Sequence, residues 1–116
     1  MYYIELFRRS INNFDVIADY TYDWTYPSIA YNPLNYNIPL MLDKIDKGEV
    51  EYFNFRLRVL KDNICCASGT IEHCVEKRVE NMLIRDANEI DEFIETLILE
   101  AQDNIKVAKT EVKKKK

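Results

Sequence analysis

The chain has 116 residues, too few for two independently stable cores, so one domain over residues 1–112 followed by a lysine tail at 113–116 is the expected organisation. Apolar residues make up 47% and charged residues 31%, the balance of a packed protein rather than a disordered one, and two Gly and three Pro confine irregular backbone to a few places. The formal net charge is −4, yet Lys113–Lys116 contribute +4, which leaves a body near −8 that repels phosphate backbones and favours a basic partner surface or simply solubility.

The apolar runs are only a few residues long, whereas a membrane-spanning helix needs about 20, so no membrane contact is expected. The N-terminal stretch carries Glu5 inside its apolar run and Arg8-Arg9 after it, the reverse of a secretory signal. With three cysteines, an odd number, the expected compartment is the cytoplasm, where thiols stay reduced.

Residues 2–9 are read as a strand in a hairpin with the next segment across Asn12-Asn13, with a helix through Ile4, Phe7, Ile11 and Phe14 as the rival reading. Residues 14–26 alternate. Phe14, Val16, Ala18, Tyr20, Tyr22, Trp24 and Tyr26 share one parity, and the other is polar except at Ile17, which predicts a strand with one aromatic-rich face. Phe14 and Trp24 are expected in the core. Seven of the fourteen aromatics fall between Phe14 and Tyr36. Tyrosines are common where a ring packs and its hydroxyl stays wet, and interfaces are enriched in them. Tyr20, Tyr22, Tyr26, Tyr31 and Tyr36 are therefore candidate partner-binding residues, with Tyr31 and Tyr36 expected to be exposed.

Pro27, Pro33 and Pro39, with three asparagines between them, predict an irregular surface connection. Residues 40–47 read as a short helix closed by Gly48. Residues 51–59 alternate again, with Phe53, Phe55, Leu57 and Val59 on the apolar side, and residues 65–75 must pair with them. A two-residue loop at Asp62-Asn63 would oppose Leu57 to Ser68. A three-residue loop over 62–64 sets Val59 opposite Ala67, Phe55 opposite Ile71 and Arg58 opposite Ser68, so matching of faces selects it. Residues 79–85 are expected to return as a further strand.

From Ala87 to Val112 apolar residues recur at spacings of three and four, the stripe of an amphipathic helix, and Asp86 with Glu89 resembles a capping box. At about 1.5 Å per residue this helix outruns a small domain, so its last turns are expected to project or fray. The expected fold class is α+β: a mainly antiparallel sheet of about five strands, with a short middle helix and a long C-terminal helix packed on one face.

Cys65, Cys66, His73 and Cys74 are the one cluster with zinc-ligand chemistry. Along a regular strand the same-face pairs stand about 27 Å apart, so no metal or cofactor is assigned and His73 is placed, partly buried, beside Phe53. With Gly48 and Gly69 the only glycines, phosphate-binding loops are absent, and no catalytic residue is assigned. The seven acids between Asp86 and Asp103, with no base among them, add Glu89, Glu92 and Glu95 to the candidate partner-binding set. The expected function is a non-enzymatic macromolecule-binding protein, a small acidic inhibitor of the toxin-neutralising or phage counter-defence type, with a basic protein surface as partner. The alternative is a nucleic-acid-binding module using Arg56, Arg58 and the lysine tail. The oligomeric state is left open.

Overall fold

Two tight hairpins build the sheet. The computed structural model describes residues 2–114. Strands β1 (Ile4–Ile11) and β2 (Phe14–Tyr22) are joined by Asn12-Asn13, and β3 (Glu51–Lys61) and β4 (Ile64–Glu76) by Asp62-Asn63. All four turn residues have positive φ, between 51° and 67°, the type I′ geometry that matches strand twist and that Asn and Asp tolerate. β2 and β3 pair antiparallel, giving one four-stranded sheet in the order β1-β2-β3-β4.

The expected register of the second hairpin is present, reached by another route. Val59 lies opposite Ala67, Arg58 opposite Ser68 and Phe55 opposite Ile71, but the turn has two residues and a bulge between Val59 and Leu60 supplies the missing step. A second shift between Phe53 and Phe55 places Cys74, not His73, opposite Phe53.

Between the hairpins lie α1 (Pro27–Ala30) and α2 (Ile38–Asp46); after β4 come α3 (Val79–Arg85) and α4 (Ala87–Lys114). α2 starts on the Asn37 side chain, which accepts from the Leu40 N–H at 3.1 Å, and ends on Gly48 at φ 70°, with Glu49 N–H reaching Lys44 O and Gly48 N–H reaching Ile45 O. That left-handed terminus is the reason for glycine at 48. The segment expected as a fifth strand is α3, because Val79 and Met82, three apart, bury one helical face while Glu80, Asn81 and Ile84 stay exposed.

α4 lies on the inner face of the sheet, where Ile90, Ile94, Leu97, Ile98 and Ala101 meet Phe53, Phe55, Leu57 and Val59. Gly69 lets it approach: a Cβ there would stand 2.3 Å from the Phe93 ring. Toward the end of this contact Asn104 Nδ2 donates to Cys66 O at 2.8 Å, beside the β3–β4 turn. The helix continues past that point to Lys114, and the molecule measures 59 × 26 × 25 Å. The last two residues of the expected lysine tail lie outside the described residues. No helix among the described residues is long and apolar enough to cross a membrane.

The outer face of the sheet is not simply polar. Ile17, Asp19, Thr21 and Asp23 are all buried, because long side chains from neighbouring strands fold over them. Arg56 donates to Asp19 through Nε and a terminal nitrogen at 2.8 and 2.7 Å, Arg58 adds a contact at 3.1 Å, and the Tyr3 ring stacks 3.5 Å from the Arg56 guanidinium carbon.

Candidate protein-binding surface

The strand period in β2 stops at Tyr22, four residues before the alternation in the sequence does. There the Asp23 side chain turns back and accepts the Thr25 N–H at 2.9 Å, a local turn that carries Trp24 out of the sheet. Trp24 is therefore 90% exposed and not a core residue. The chain then winds over the surface: Pro27 opens α1, and Asn32 holds a second turn by accepting the Leu34 N–H on its side chain at 3.0 Å. Ile29 is 78% and Leu34 92% exposed, and Tyr22, Tyr26, Tyr36 and Leu40 are about half exposed. Tyr20 differs from the other candidate tyrosines, being buried in the core and edge-on to Phe53.

Tyr31 anchors this segment to the sheet. Its hydroxyl donates to the carbonyl of His73, and its ring meets Tyr36 edge-on with centroids 4.8 Å apart. His73 occupies the second bulge of β4 at φ 58°, a left-handed conformation that is uncommon for a side-chain-bearing residue. Its neighbours hold it there. The His73 N–H donates to Asn54 Oδ1 at 2.9 Å, Nδ1 lies 2.6 Å from the buried Asp23 carboxylate, and the ring stacks on Tyr52, not beside Phe53 as the unbulged strand would have it. The added bulge residue is the cause.

Burial works to raise the Asp23 carboxyl, but the Thr25 N–H and His73 outweigh it and hold the group below its ordinary value. A carboxyl lowered in the folded state contributes stability that is fully present above its unfolded value, about 3.9, and lost as pH falls through the folded value. Asp23→Asn is thus expected to flatten the acid limb of stability, measured as melting temperature from about pH 6 to about pH 2. An acid limb as steep as that of the unaltered chain would remove Asp23 from this role.

A cleft of about 500 Å³ brings Tyr31 and Glu89 into one wall with His73, Cys74, Glu76 and Arg85. Arg85 is paired with Glu76 and Asp86. Burial pushes the Cys74 thiol up to about 11, so it is protonated at neutral pH and packs as a small apolar group. Glu92 and Glu95 are exposed farther along α4, and Glu95 lines a different groove beside Ile11. The structure thus joins Tyr31, Tyr36 and Glu89 around one end of the molecule and separates Glu92 and Glu95 from them.

Sequence reasoning missed the Asp23–His73 pair, since the residues are fifty apart and meet only through the β2–β3–β4 pairing and a bulge. It missed the exposure of Trp24 for a readable reason, because Asp23 followed two residues later by Thr25 is a sequence that can break a strand. Comparison of the chain with protein-family models, curated proteins and solved structures found no match.

Proposed function

We propose that the chain is a non-enzymatic protein-binding module that docks through residues 22–40 onto a partner with a basic surface, in the manner of a small acidic inhibitor of the toxin-neutralising or counter-defence type. The observation that carries this reading is the crowding of Trp24, Ile29 and Leu34, exposed at 90%, 78% and 92%, into one short segment with the half-exposed Tyr22, Tyr26, Tyr36 and Leu40 around them. Exposed aromatic and aliphatic groups gathered in this way are the usual anchors of protein interfaces. The adjoining α2 region adds Asp43, Asp46 and Glu49 at the surface against Lys44 and Lys47, and Lys47 is already paired with Asp43 at 2.9 Å. The surplus is acidic, which favours a basic partner. The alternative reading through Arg56 and Arg58 has less support, because both guanidiniums are engaged by Asp19.

Trp24→Ala separates docking from folding. Truncating so exposed a ring is expected to change stability by less than about 0.5 kcal/mol, while loss of an interface anchor weakens binding by about 2 kcal/mol or more. Affinity capture from the native cell, run in parallel with the unaltered chain and Trp24→Ala, should recover one protein with the first and lose it with the second at equal melting temperature. Equal recovery by both, or none by either, would count against the reading.

A further inference from the structure

We infer that α4 carries a self-complementary docking stripe through which two copies of this chain pair antiparallel. Glu92, Glu95, Leu99, Gln102, Lys106 and Lys109 follow one another at spacings of three, four, three, four and three, which places them along a single line of the helix surface. All six are exposed, Leu99 at 63%. The line is sorted by charge: two acids, an apolar and a neutral residue at the centre, then two bases. The sorting extends through the helix, since residues 86–103 hold seven acids and no base whereas residues 104–116 hold six lysines and one acid.

A stripe with this order is complementary to itself in only one sense. Turned end for end about its midpoint between Leu99 and Gln102, it sets Glu92 against Lys109, Glu95 against Lys106 and Leu99 against Gln102, and a two-fold axis repeats each pairing. Parallel pairing would set acid on acid and base on base, which is unfavourable. The antiparallel sense also opposes the two helix dipoles.

The neighbouring surface suits a second helix. Beside the stripe runs a groove of about 540 Å³ with Ile11, Ile94 and Ile98 in its lining and Glu95, Leu99 and Gln102 along its α4 side. The last turns of α4 extend beyond the Asn104–Cys66 contact, so Lys106 and Lys109 stand clear of that contact with the sheet, where a partner helix can reach them. This surface is separate from residues 22–40, and pairing through it leaves Trp24 free.

Sedimentation of the full chain over a concentration series tests the pairing. A reversible dimer is expected at about 100 µM in low salt, weakening at least tenfold at about 0.5 M salt because the contacts are surface charges. Lys106→Glu with Lys109→Glu makes the stripe acidic throughout, and Glu92→Lys with Glu95→Lys makes it basic throughout. Each double variant should be monomeric with an unchanged melting temperature, and an equimolar mixture should form a heterodimer tighter than the original homodimer. Gln102→Leu, at the centre, should tighten the homodimer severalfold. A monomer at all concentrations, homodimers of the double variants as tight as the original, or a mixture that stays monomeric would each overturn the inference.

Discussion

Phe55→Ala is expected to destabilise the protein by about 3 to 5 kcal/mol, the range for removing a buried aromatic and leaving a cavity. Phe55 is 0% exposed. It stands between Tyr20 on β2 and Ile71 on β4, in the layer on which α4 rests. Its neighbours belong to different elements and cannot close inward without breaking ladder hydrogen bonds, so relaxation is limited. A domain of this size holds about 5 to 15 kcal/mol in all, and the variant loses a large part of that. Urea unfolding should show a lower midpoint at unchanged slope. Trp24→Ala deletes a larger ring at almost no cost in folding, because no cavity forms where a ring already faces water. A cost for Phe55→Ala below about 1.5 kcal/mol would mean that the core is loosely packed around it.

That contrast marks where the sequence was legible. Period-two alternation locates β3 and, as far as Tyr22, β2, and the matching of faces finds the β3–β4 register even though the loop has two residues rather than three. The register was recoverable because a slip would have turned every inward residue outward. The bulge was not, because one extra residue in a strand leaves no periodic trace beyond a local change of parity. Residues 79–85 read as a strand and fold as a helix for a related reason: seven residues of mixed character fit either period, and the helix wins through the burial of Val79 and Met82 against the core, a tertiary fact. The candidate site was half legible. A dense set of tyrosines marked the right segment, but burial of Tyr20, anchoring of Tyr31 and exposure of Trp24 depend on where β2 stops and on a histidine in a left-handed bulge.

The alternation also concealed the outer face. Asp19 sits at a position that reads as solvent-facing, yet its side chain is 3% exposed and is held by Arg56 and Arg58 from the adjacent strand. Asp19→Ala is therefore expected to cost about 3 kcal/mol, toward the lower end for breaking a buried ion pair because the guanidiniums keep partial contact with water. The cost arises from what remains. Arg56 loses both of its contacts to that carboxylate, and Arg58, whose Nε is already buried without a hydrogen-bond partner, loses its contact at 3.1 Å. Two cations then share one partly covered face with no anion between them. The Arg8–Glu5 pair supplies the control: its distance is also 3.1 Å, but both side chains are about half exposed, and Glu5→Ala should cost less than about 0.5 kcal/mol. A double-mutant cycle between Asp19 and Arg56 should give a coupling of about 1 kcal/mol or more, since the two are in direct contact. If Asp19→Ala proves as mild as Glu5→Ala, the two arginines are free to reorient into solvent, the outer face is open, and Arg56 and Arg58 return as a cationic surface available to an anionic partner.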